Sequence, residues 1–273
     1  MRQTPIALAV CLAACPGLAQ DSAPGSTPET ALVALQTADA VKGWNSVGKL
    51  MLGERGFCTG ALIEPQLVLT AAHCLFDKDT GARTPDDQIT FQAGWRNGRA
   101  EAYRGVRRSI AHPDYIYSGD EDMDRVAYDV ALLELDQPIL LPQLQPFSTD
   151  VSPSGGDQVS VVSYARSRSE IPSIEQGCNV ISAGDPALVL SCDVDFGASG
   201  APVFSVDQGV ARVVSVISAK AEMDGKKVAL AVPLQVPLAT LRDKLAADDT
   251  SHKAPGVRVI SGGGSTGAKF VTP

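Results

Sequence analysis

The chain has 273 residues, of which 44% are hydrophobic, with 23 Lys and Arg against 31 Asp and Glu for a formal charge of −8. That length can bury a full core, and the acidic balance speaks against nucleic-acid binding, which favours concentrated basic surface. Its 25 glycines and 18 prolines suit many short strands joined by turns.

In chain order, the first element is a targeting segment. Arg2 precedes an apolar run over 6–14, too short to span a bilayer, and Gly17-Leu18-Ala19 offers the small residues a signal peptidase reads. Residues 1–19 are therefore assigned to a signal peptide and the mature chain to a start at Gln20. A competing reading takes Leu12-Ala13-Ala14-Cys15 as a lipobox that would leave a lipid anchor on Cys15. Both readings make the protein exported, periplasmic or extracellular, with no membrane span.

Residues 20–43 form an N-terminal segment. In it Ser26 and Glu29 have capping-box spacing ahead of Leu32, Val33 and Leu35, which predicts a short helix over 26–41. From Trp44 the pattern changes to short apolar runs over 49–52, 57–63, 68–70, 89–93, 102–110 and 130–135. Arg104, Arg107 and Arg108 read as a solvated strand face. Asp120, Glu121, Asp122 and Asp124 read as a solvated acidic loop, with oxygen ligation of calcium as the alternative. A connection rich in Pro and Gly covers 140–156, and a second set of runs covers 159–164, 179–182, 188–192, 202–205, 212–218 and 228–232. Strand–helix alternation is absent, so the fold class is all-β. The tail over 247–273, with Gly262-Gly263-Gly264-Ser265, reads as either disordered or an added hairpin, and His252 within it as solvated.

Three separated segments carry chemistry: Thr70-Ala71-Ala72-His73-Cys74, Asp129-Val130-Ala131-Leu132-Leu133 and Phe196-Gly197-Ala198-Ser199-Gly200-Ala201-Pro202. Ser199 is a poor nucleophile until a base takes its proton, and a neutral imidazole, His73, suits that task. Asp129 would fix the His73 tautomer and stabilise the imidazolium. Gly197 would let its own N–H and that of Ser199 point at one spot, where an oxyanion develops. The separations of 56 and 70 residues require a folded domain to bring the three together.

These segments, in the order His, Asp, Ser, resemble those of the trypsin-like (chymotrypsin-fold) serine endopeptidases of the bacterial secreted type. The resemblance also covers Phe57-Cys58-Thr59-Gly60-Ala61-Leu62-Ile63, Ala111-His112-Pro113-Asp114-Tyr115 and Val213-Val214-Ser215-Val216. It implies a protease domain over 44–246: two six-stranded antiparallel β-barrels, about 44–140 and 155–236, an active site in the cleft between them, and a short closing helix near 237–246. The implied activity is peptide-bond hydrolysis by a monomer acting on protein or peptide substrates, with no cofactor and no metal. A protease homologue without turnover, acting as a binding or regulatory protein, is the alternative.

Cys11 leaves with the signal, and so does Cys15 unless lipidated. The four remaining cysteines allow three pairings, of which the resemblance selects Cys58–Cys74 and Cys178–Cys192. A zinc site is disfavoured because the mature chain has no Cys-x-x-Cys pair.

Substrate recognition is implied less directly. Asp193 lies six residues before Ser199, the offset at which relatives place a carboxylate that receives Arg or Lys at P1, the residue contributing the scissile carbonyl. Against this, Asp193 and Asp195 read equally as loop carboxylates. Ser215, Val216 and Ile217 are expected to form the strand edge that pairs with substrate, with Ile217 narrowing the pocket and Ser215 also bonding Asp129. The Ser segment is similar to that of bacterial glutamyl endopeptidases too, but the His those enzymes carry on this strand is missing here. His112 is expected to be a turn residue. Ala198 replaces the Asp that in many relatives receives a new N-terminus, so activity is expected without N-terminal insertion.

Overall fold

The computed structural model describes residues 32–54, 56–118, 123–184 and 186–252. The signal segment, Cys15, the acidic positions 120–122 and the tail beyond 252 lie outside the described residues, as do the side chains of Asp124 and His252.

Leu32, Val33 and Ala34 form strand β1 (Leu32–Ala34) in place of the helix expected over 26–41. Antiparallel pairing with residues 173–175 gives this segment backbone partners that a local helical pattern cannot match, and Leu35 continues it by donating to Pro172 O at 2.9 Å.

Barrel one contains β2 (Val47–Leu52), β3 (Phe57–Glu64), β4 (Leu67–Thr70), β5 (Ile89–Ala93), β6 (Ala102–Ala111) and β7 (Ala131–Leu135), closed in the order β2-β3-β4-β7-β6-β5. β5 shows the period of two that makes a half-buried strand, with Ile89, Phe91 and Ala93 inward. β4 is apolar and buried along its whole length.

The second sheet contains β8 (Gln158–Ala165), β9 (Arg168–Ser182), β10 (Leu188–Leu190), β11 (Pro202–Asp207), β12 (Val210–Met223) and β13 (Lys226–Ala231). Its order is β1-β9-β10-β13-β12-β11-β8, and a further β8–β9 pairing closes six of these strands on themselves, leaving β1 as an addition to β9. Two antiparallel barrels thus form as expected from the sequence. The helix α1 (Met123–Val126) is a single turn ahead of β7, whereas α2 (Gln235–His252) starts before and runs beyond the closing helix expected near 237–246.

An aromatic cluster ties the halves together. Phe204 of β11 packs edge-on against Trp44 and Phe147, with ring centroids 5.0 and 4.7 Å apart. Burying each such ring is worth about 1.5–3 kcal/mol, so the cluster helps fix the relative placement of the barrels and hence the width of the cleft.

Candidate active site

Strand pairing brings His73 to Asp129. The antiparallel β4–β7 ladder ends at Thr70↔Ala131, so the 3₁₀ turn Ala72–Leu75 that leaves β4 meets the residue that leads into β7. His73 N–H donates to Asp129 Oδ1 at 2.8 Å, and His73 Nδ1 lies 2.7 Å from Asp129 Oδ2. Burial alone would raise the Asp129 carboxyl. The charge of His73 and hydrogen bonds from the His73 ring, the Ser218 hydroxyl and the His73 backbone outweigh it and hold the group below its ordinary range. His73 lines the cleft, and its Nε2, the nitrogen not engaged on Asp129, lies 3.9 Å from Cys74 Sγ.

Ser199 sits on the loop entering β11, and barrel one grips that loop through one buried side chain, Thr59. The Thr59 hydroxyl donates to Gly197 O at 2.9 Å and accepts from Tyr164 N–H at 3.1 Å, while Thr59 N–H donates to Ser199 O at 2.9 Å. Gly200 has φ +76, and a Cβ there would stand 2.1 Å from Thr70 Oγ1 and 2.4 Å from Thr59 O. Only glycine lets the serine loop lie this close to barrel one. Ala198 is fully buried, and the position carries no carboxylate to receive an ammonium group.

Ala198, Gly200 and Ala201 N–H all have backbone acceptors, at 2.9, 2.8 and 2.9 Å. Among the described residues, Gly197 and Ser199 N–H have none. Two unpaired donors one residue apart, between satisfied neighbours and lining an open cleft, suit a transient anion.

The strand edge beside the serine differs from the expectation. Ser215 and Val216 are fully buried, and the Ser215 hydroxyl donates to Val232 O at 2.6 Å instead of reaching Asp129. Ser218 bonds Asp129 Oδ2. The reason is a bulge: β12 advances from Ile217↔Ala231 to Ala219↔Leu230, two residues against one, which leaves Ser218 unpaired and turned toward the other barrel. The cleft is therefore lined by Ser218, Ala219 and Lys220, with Ile217 2% exposed behind them.

Asp193 also lies elsewhere. Its backbone N–H bonds the buried Glu175 carboxylate, and its side chain pairs with Lys227 at 2.9 Å, half-exposed and away from the cleft lining. Asp195 does line the cleft, as an intraloop acceptor for Phe196 N–H at 2.7 Å. His112 is 4% exposed and stacked on Tyr128, where burial lowers its pKa and Asp114 N–H bonds Nδ1 at 3.2 Å. A turn residue is the right description of it. Arg107 and Arg108 pair with Glu134, in keeping with a strand-face role.

Cys58 and Cys74 are joined with Cα atoms 6.3 Å apart, anchoring the His73 turn to β3, and Cys178 and Cys192 are joined with Cα atoms 5.2 Å apart in the second core. The His, Cys and acidic groups near these positions therefore offer no thiolates to a metal.

The roles of Ser218, Arg166 and Lys220 on the cleft lining, and of Thr59 behind it, escaped sequence reasoning, which names Phe196 without giving it a role. Ser218 was hidden by the bulge, and only Thr59, next to Cys58, carried a positional hint.

His73, Asp129-bonded, and Ser199 thus face one cleft of about 410 Å³ between two antiparallel barrels, the architecture of chymotrypsin-like serine endopeptidases. The chain belongs to the trypsin-like peptidase family, matching the trypsin-like peptidase domain over residues 58–214. A Glu endopeptidase structure shares the fold with a TM-score of 0.64 at 19% identity, over 80% of this chain and 98% of that one. A thermostable serine protease, AL20, from an extremophilic microorganism does so at 0.58 and 17% identity, over 74% and 97%. In sequence, coagulation factor IX of Oryctolagus cuniculus is 37% identical over 89 residues, 31% of this chain and 28% of that protein. The chain thus aligns with less than a third of that relative's length.

Proposed function

We propose that this endopeptidase works through Ser199, His73 and Asp129 by way of an acyl-enzyme. His73 takes the Ser199 proton as Oγ attacks the scissile carbonyl carbon, and the carbonyl oxygen gains negative charge opposite Gly197 and Ser199 N–H. Collapse expels the amine, which receives the proton from His73. Water then attacks the ester with His73 again as base, releasing the acid and Ser199. Extended substrate lies along Ser218, Ala219 and Lys220, whose edge opposite β13 has no strand partner beyond Ile217 among the described residues. The single observation that supports this reading best is the pair of unpaired N–H groups on the cleft that holds the His73–Asp129 pair.

The two disulfides suit an oxidising compartment, which agrees with export outside the cytoplasm. Because Thr59 holds the serine loop and Ala198 needs no ammonium partner, activity does not wait on N-terminal trimming. A fluorophosphonate probe tests both points in protein starting at Gln20. Stoichiometric labelling that Ser199→Ala abolishes is expected; labelling that appears only after trimming would refute the second point, and none in folded protein would favour the binding-protein reading.

A further inference from the structure

We infer that the cleft selects an acidic side chain at P1, through Lys220 and Arg166, both held against the Phe196 ring; this rests on the catalytic reading above and replaces Arg or Lys as the preferred residue. The P1 carbonyl oxygen must approach Gly197 and Ser199 N–H. Its side chain therefore falls between the segment leading into Gly197 and the beginning of the exposed β12 edge. Those two walls are fixed to each other, since Gly200 N–H donates to Ile217 O at 2.8 Å and Ile217 N–H to Ala201 O at 2.9 Å.

The walls present an apolar floor with a cationic rim. Val194 and Ile217 are buried, at 8% and 2% exposure. The Phe196 ring is 59% exposed, with Lys220 Nζ 4.0 Å and Arg166 Cζ 5.6 Å from its centroid. An aromatic face holds a cation in place without neutralising it, so both charges stay available to a ligand. Arg166 is further positioned by its own N–H, which donates to Phe196 O at 2.7 Å.

Asp77, Asp79 and Asp195 also line the cleft, but none of them pairs with Lys220 or Arg166. Asp195 accepts from Phe196 N–H and lies near half-buried Arg168, Asp193 pairs with Lys227, Asp79 pairs with Lys78, and Asp77 accepts from Thr80 N–H. Among the described residues neither Lys220 nor Arg166 has a carboxylate partner. In a protein of net charge −8, two cations without a carboxylate partner on the cleft lining stand out against the acidic balance of the chain. A Glu or Asp side chain completes charge-assisted bonds there, Gln and Ala leave the cations unpaired, and Lys or Arg adds a like charge.

The test uses peptides identical except for Glu, Asp, Gln or Lys at P1. At low salt, kcat/KM for Glu should exceed Gln by about tenfold and Lys by about a hundredfold. Raising NaCl to about 1 M should shrink the first ratio, as screening of partly exposed charges requires. Lys220→Ala combined with Arg166→Ala should bring Glu and Gln within about threefold, and Lys220→Glu should turn the preference toward Lys. The same peptides bound to Ser199→Ala protein report preference without turnover, and the fluorophosphonate label reports catalysis without specificity. Labelled enzyme with Glu and Gln equal, or with a Glu preference that survives the double substitution, overturns the inference and leaves the catalytic reading intact. Glu-selective binding by an unlabelled protein would do the reverse.

Discussion

Asp129→Asn is expected to lower kcat by about four orders of magnitude while the folded structure persists. The carboxylate accepts three hydrogen bonds, from His73 N–H, from His73 Nδ1–H and from the Ser218 hydroxyl. An amide of the same shape has one oxygen and must turn its NH₂ toward one of these donors. If the amide nitrogen faces His73 Nδ1, the ring proton moves to Nε2, and the nitrogen that should accept the Ser199 proton becomes a donor. Single-turnover kinetics on an ester substrate would measure the loss. A kcat within tenfold of wild type would show that Asp129 does not set the tautomer.

The same substitution has a signature in stability against pH. The Asp129 carboxyl is held below its ordinary value of 3.8, so the folded state binds its proton less readily than the unfolded chain. The stabilisation from ionised Asp129 is therefore fully present above about pH 4 and is lost as pH falls through the lower folded value. Wild type should melt above Asp129→Asn at pH 7, and the gap should narrow as the pH drops below about 3.8. Melts at the two ends of this range separate the ionic contribution from packing, because the side chains are nearly isosteric.

Much of this was legible in the sequence, for a physical reason. Closed antiparallel barrels repeat short apolar runs separated by turn residues, and runs such as 89–93 and 130–135 coincide with β5 and β7 almost residue for residue. Strand ends are also where reactive side chains sit, so the segments around His73, Asp129 and Ser199 declare themselves through their neighbours. Register was not legible. The extra residue in β12 turns Ser218 toward Asp129, three positions beyond the expected Ser215, and nothing in the segment 215–218 marks where a ladder will slip. Offset counting failed at Asp193 for a related reason: equal distance from Ser199 along the chain does not fix direction, and Lys227 on β13 draws the carboxylate out of the cleft. The helix expected over 26–41 yielded to long-range pairing with β9, which a local pattern cannot contain.

Gly197→Ala should lower kcat by about 10²–10³ with KM little changed, the loss expected when one oxyanion donor is withdrawn. Two independent penalties act at this position. Gly197 has φ +100, a conformation that L side chains rarely adopt, and a Cβ would stand 2.6 Å from Phe57 Cε2 and 3.1 Å from the Ala165 Cα. Phe57 does not yield freely, since Lys49 Nζ, itself 5.3 Å from the Trp95 ring, sits 4.5 Å from its centroid. The Thr59 hydroxyl meanwhile holds Gly197 O from the other end of the residue. The peptide joining Phe196 to Gly197 then takes up the strain, and its rotation breaks the bond from Arg166 N–H to Phe196 O and carries the Gly197 N–H away from Ser199 N–H. Adding Phe57→Ala removes the ring contact but neither the φ penalty nor the Ala165 contact, so the double variant should regain little. Thermal melting would establish that both variants fold, and the second-order rate of fluorophosphonate labelling should fall in parallel with kcat. Wild-type kcat in folded Gly197→Ala protein would remove Gly197 N–H from the oxyanion site and leave Ser199 N–H to act with some other donor.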